Sequence, residues 1–119
     1  MPMNLFWLAA GISGFLAVAL GAFGAHALRG VLSPEALEWW KTAVLYQGIH
    51  VAPLLALGLA PQPGRLARAA GLLFIAGSAL FSGSLYLMSL TDLRWLGAVT
   101  PLGGLAFLAG WACLAALSL

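Results

Sequence analysis

Four apolar runs, each long enough to cross a bilayer as a helix and separated only by short polar breaks, use nearly all of this 119-residue chain. A hydrocarbon core about 30 Å thick takes roughly 20 apolar residues in a helix, and the runs at about 5–28, 42–60, 66–90 and 96–117 meet that length. Inside hydrocarbon every backbone N–H and C=O needs a partner within the protein, so such segments must be helical. Composition agrees, with 63% of residues hydrophobic and 7% charged, where a soluble domain carries about 25% charged. The expected fold is all-α: one integral membrane domain over residues 1–119, a four-helix bundle with no separate soluble part.

The first run is a packing helix. Small residues recur at every fourth position, Ala9, Ser13, Ala17, Gly21 and Ala25, and in lipid the close approach of backbones over small side chains is a main source of helix association. The same spacing returns at Ser78 and Ser82, at Ala79 and Gly83, and at Ala106 and Gly110. No Lys or Arg precedes the first apolar run, which continues past the length of a signal peptide core, so it reads as a retained helix.

After His26, Arg29 and Gly30, the sequence Ser33-Pro34-Glu35 starts a helix: serine caps free amides, proline suits the first helical position and glutamate favours the positive helix end. Its first turns carry Trp39 and Trp40 and are expected at headgroup depth, as an amphipathic interfacial turn or short helix leading into the second span. From there the helix either runs straight on or bends near Gly48, with Pro53 as a candidate kink. Pro61-Gln62-Pro63-Gly64 is a tight turn. The fourth run starts either at Pro101, with Thr100 as its cap, or earlier with a kink.

The charged side chains are few and lie in the breaks. Five basic and three acidic residues give a formal charge of +2, too sparse and scattered for nucleic-acid binding. Glu38 can pair with Lys41 one turn on. Arg65 and Arg68 share a side with the termini, while Arg29, Lys41 and Arg94 lie on the other. That near-even tally, tipped by the acid-free pair, favours cytoplasmic termini. His26, Arg29, Lys41 and Arg94 are candidates for contact with lipid headgroups.

Against this background the second run stands out, because Tyr46, Gln47 and His50 lie inside it. A titratable group in hydrocarbon costs a few kcal/mol at least, so it is kept for a partner or a task. Tyr46 precedes His50 by four residues and shares its face, and Gln47 lies about 100° round from Tyr46. His50 either bonds a facing helix, through Ser82, Ser84 or Thr100, or contributes to a ligand site with these groups. Haem between His26 and His50 is disfavoured by depth: His50 lies roughly 12 Å into its span at 1.5 Å per residue, while His26 is near the interface. Two histidines without a buried carboxylate are too few for a metal site, and one cysteine, Cys113, forms no internal disulfide. No metal and no cofactor are expected.

Four motifs in order, Gly21-Ala22-Phe23-Gly24-Ala25-His26, then Thr42 to Gln47 with His50, then Phe81-Ser82-Gly83-Ser84-Leu85-Tyr86, then Thr100-Pro101-Leu102-Gly103-Gly104 with Gly110-Trp111, span most of the chain. Together they resemble the small membrane family known as domain of unknown function 423, whose animal relatives are called transmembrane protein 256. The resemblance implies a helical protein of the bacterial inner (plasma) membrane with unassigned activity, and it brings no catalytic residues.

The functional expectation is a structural or interaction protein, packing through small-residue faces (Ser13, Ala17, Gly21, Ala25, Gly83, Gly110) against itself as a homo-oligomer or against a larger membrane complex, with membrane lipids around it. The alternative is binding or transport of a lipid, quinone or small amphiphile in a cavity between helices. No carboxylate lies within a span to couple proton export, no span shows a polar channel face, and no nucleophile, base and orienting group can be assembled, so no enzyme is expected.

Overall fold

The structure, a computed structural model, describes residues 3–61 and 63–119. It is an all-α bundle of four apolar helical spans, Leu5–His26, Pro34–Leu59, Arg65–Thr91 and Arg94–Ala116. Its long axis of 47 Å is close to the roughly 40–45 Å of a bilayer with its headgroup regions.

The first span is one helix, α1 (Leu5–His26), capped by the Asn4 side chain, which accepts the Trp7 N–H. The chain then turns through Gly30 at φ +83°, a left-handed conformation that glycine adopts without a Cβ penalty. In the second span, α2 (Pro34–Ile49) begins as the Ser33-Pro34-Glu35 signal predicts, with the Ser33 hydroxyl accepting the Ala36 N–H. It runs straight to Ile49 without a separate interfacial helix. The break falls at His50 (φ −89°, ψ 2°), two residues past Gly48, before α3 (Val51–Leu59) resumes. Pro53 accounts for the position, since it offers no N–H to the carbonyl of Ile49 four residues back and loosens the ladder there.

Gln62, in the expected turn, lies outside the described residues, and α4 (Arg65–Gly77) follows the turn. The third span is not continuous α-helix: a π-helical turn at Ser78–Ser82 joins α4 to α5 (Gly83–Thr91). In the fourth, a 3-10 helix at Arg94–Ala98 leads into α6 (Thr100–Ala116), so the span begins before Pro101. Thr100 is no cap, because its hydroxyl faces Leu96 and Ser84.

The second and third spans form the centre, with the first against the second and the fourth against the third. One apolar cluster, around Phe6, Leu54, Phe74 and Phe107, fills the half of the bundle near the termini. A smaller one, Ala43, Leu85, Met88 and Leu96, fills the other half.

The fourth-position stripe of α1 does not survive along the whole helix. A step of four residues advances about 400°, so the stripe drifts roughly 40° per step, and by Ala25 it has turned out of the interface and is exposed. Residues seven apart hold the seam better: Ala10, Ala17 and Gly24 are all buried. Ser13 and Gly21 border this seam, with Gly21 next to Val44. In the third span Gly83 faces open space, and Gly77 takes the close-contact role under the Phe107 ring. Gly103 meets the backbone of Phe81, and Gly110 fits as expected, since a Cβ there would come within 2.7 Å of the Phe74 ring.

Candidate functional site

Span two reaches every other span through polar side chains. Gln47, buried in α2, donates through Nε2 to the Ser13 carbonyl of α1 at 3.1 Å and accepts at Oε1 from the Tyr86 hydroxyl of α5 at 2.7 Å. One amide therefore ties three spans. Above it, Trp40 donates its indole N–H to the Leu20 carbonyl at 2.9 Å and meets Tyr86 edge-on, 4.8 Å between centroids. Trp40, on the first turns expected at headgroup depth, is buried against the first span, because Gly24 lacks the Cβ that would occupy the seat of its ring.

His50 holds the opposite flank. Its ring stacks on Phe107 of α6 at 3.6 Å between centroids and 3° between planes. Nδ1 lies 2.7 Å from the Tyr46 backbone carbonyl, and Nε2 is 3.0 Å from the Trp111 indole nitrogen. A carbonyl only accepts and an indole N–H only donates. These partners therefore specify the neutral ring with the proton on Nδ1.

The expectation that His50 bonds Ser82, Ser84 or Thr100 is corrected by this geometry. Helix phase explains the difference: Trp111 lies one turn beyond Phe107 on the same face of α6, where both meet the ring. Ser82, on the π turn, instead donates to the Ala43 carbonyl of α2 at 2.7 Å. Ser84 and Thr100 bond each other at 2.5 Å, joining the third and fourth spans. Ser89 donates to the Ala36 carbonyl of α2 at 3.0 Å.

Tyr46 does share its groove with His50, though the hydrogen bond between the two residues runs through the Tyr46 backbone. Its ring packs on Phe81, 4.6 Å between centroids, and its hydroxyl has no hydrogen-bond partner among the described residues. Of the headgroup candidates, Lys41 pairs with Glu38 at 3.6 Å. Arg94 binds Glu35 at 3.1 Å and Asp92 at 3.5 Å, with its guanidinium over Trp39. His26 and Arg29 are exposed at the same end.

Several of the residues that matter lie outside the second run. Tyr86 and Trp111 are polar-tipped aromatics within apolar runs, and that was the available signal, since a buried phenol or indole needs a hydrogen-bond partner. Asn4 Nδ2 donates to the Gly58 carbonyl at 2.6 Å, securing α1 to the end of the second span. Ser78 Oγ is buried without a partner among the described residues.

Two grooves flank this core. One, of about 430 Å³, lies between the first and third spans with Gln47 and Tyr86 in its lining. The other, of about 610 Å³, lies between the second and fourth spans and includes Tyr46, His50 and Trp111. Both are overwhelmingly apolar. Among the described residues no three His, Cys, Asp or Glu side chains come together.

The pattern of a family described as "Protein of unknown function (DUF423)" matches residues 20–104. The UPF0382 membrane protein YwdK of Bacillus subtilis (strain 168) is 44% identical over 112 residues, 92% of this chain and 91% of its own length. The UPF0382 inner membrane protein YgdD of Escherichia coli (strain K12) is 42% identical over 115 residues, 94% of this chain and 87% of its own. A third relative, the UPF0382 membrane protein SH2409 of Staphylococcus haemolyticus, is 43% identical over 110 residues, 92% and 90% of the two chains. No solved structure matches.

Proposed function

The chain belongs to the DUF423 family of proteins of unknown function, and we propose that it acts in the bacterial membrane as a structural and interaction protein, not as an enzyme. One observation carries this reading: the interior polar groups of Gln47, His50, Ser82, Ser84, Ser89 and Tyr86 are each held in hydrogen bonds within the bundle. Each of these bonds gives the group a partner on a neighbouring span, so contacts between helices account for them.

The outer face of α1 is what such a protein would offer to a second copy or to a larger complex. Gly11, Ala22 and Ala25 are exposed there, and Gly11 leaves a shallow depression bordered by Trp7 and Phe15. Small residues on a lipid-facing helix permit the backbone contact that drives association in membranes. The test places single cysteines at Gly11 and Ala22 in a Cys113→Ala background and oxidises native membranes. Dimers or a discrete adduct from both positions, and none from Leu108→Cys on α6, are expected. Monomers throughout, with no stoichiometric partner in mild detergent, would reject the reading.

A second reading is supported by the Tyr46 hydroxyl, which has no partner among the described residues and lies beside His50: a quinone or small amphiphile bound in the groove between the second and fourth spans. His50→Leu separates the two, since lost thermal stability marks a helix tie, whereas lost ligand retention with unchanged stability marks a site.

A further inference from the structure

The groove between the first and third spans runs from Leu5 to Leu20 along α1, roughly 22 Å at 1.5 Å per residue. That exceeds one leaflet of a hydrocarbon core about 30 Å thick. Its far wall is Ile75, Ala79 and Gly83, and it opens sideways onto the bilayer. A slot in that position, with a lining that is overwhelmingly apolar, suits a hydrocarbon chain.

What lies at its mouth indicates which molecule supplies the hydrocarbon. Phe6 packs on Gly71 and fixes the relative level of the two spans. Arg68, one turn before Gly71, therefore sits just beyond Leu5, and it precedes Ile75 by two turns on the same face. Arg65 lies one turn further out. Both arginines are exposed, and neither forms an ion pair among the described residues. The three acidic side chains, Glu35, Glu38 and Asp92, are all at the opposite end of the bundle, so the charged side chains at this end are cationic. The first turn of α4 adds the positive end of a helix, and no side chain among the described residues caps it.

We propose that an anionic phospholipid of the surrounding bilayer binds here, its phosphate against Arg65 and Arg68 and one acyl tail in the groove along Ile75, Ala79 and Gly83. Basic mouths between membrane helices select anionic headgroups, and the apolar slot below converts a diffuse attraction into a defined site. The site is independent of the contact proposed for the outer face of α1.

The test is native mass spectrometry of the full chain from micelles containing equal dioleoylphosphatidylglycerol and dioleoylphosphatidylcholine at low salt. The wild type is expected to retain phosphatidylglycerol preferentially. Arg65→Gln with Arg68→Gln should weaken that retention by about 30-fold, the factor for two interfacial cations. Gly83→Phe, where a new side chain meets open space, should abolish retention with both arginines intact. Ala79→Leu serves the same purpose if Gly83→Phe fails to fold. Equal retention of the two lipids overturns the proposal. So does loss on removing the arginines but not on filling the groove, which would mark headgroup attraction alone. Binding of glycerol phosphate as strong as that of the lipid, or a dimer that Gly83→Phe dissolves, would equally overturn it.

Discussion

The His50 ring is enclosed on three sides by aromatics, with Phe107 at 3.6 Å, Phe74 at 5.4 Å and Trp111 at 5.8 Å between centroids. Both of its nitrogens face protein partners. This makes the tautomer a measurable property of the fold: nitrogen shifts of labelled histidine should show Nδ1 protonated and Nε2 bare, and the reverse would contradict the hydrogen-bond assignment. Trp111→Phe keeps an aromatic ring against Phe74 but removes the donor to Nε2. Interhelical hydrogen bonds in membranes average about 0.6 kcal/mol and reach about 1.7, so a loss within that range is expected from unfolding in bicelles. At this scale the sequence showed that Gln47 and His50 needed partners, because polar groups inside apolar runs must be paired. It did not show which partners, since Trp111 and Tyr86 are about sixty and forty residues away and only the packing phase of two helices brings them close.

The helical elements were legible where the local signal was strong: the Ser33-Pro34-Glu35 start and the four apolar runs correspond to observed structure. The small-residue stripe was legible only in part, because a period of four parts from the 3.6-residue turn within a few steps. The π turn at Ser78–Ser82 left no local signal at all. It is fixed by tertiary contact, with Ser82 bonded to Ala43 and Phe81 wedged between Gly103, Tyr46 and Phe107. A π turn accommodates one extra residue within an α-helix. Deleting exposed Leu80 should therefore restore α-helix there while α4 and α5 keep their faces, leaving a monodisperse protein. Deleting Leu72, inside α4, should rotate everything beyond it by about 100° and abolish folding. Equal tolerance of both deletions, measured by expression and gel filtration, would show that the π turn has no part in setting register.

For the whole molecule, an apolar exterior surrounds a central helix whose polar groups reach three neighbours. Class and span count followed from the apolar runs, but the lateral order of spans and the two grooves did not, since these depend on side chains meeting across the bundle. The organising claim is that the polar residues of the second span hold the bundle together, and Gln47, tied to both the first and third spans, expresses it best. The most direct test is a double-mutant cycle of Gln47→Leu and Tyr86→Phe, with unfolding free energies measured in one bilayer mimetic. The two losses should be strongly non-additive, with a coupling free energy near the upper end of the roughly 0.6–1.7 kcal/mol known for such bonds. Additive losses with no coupling would contradict the account.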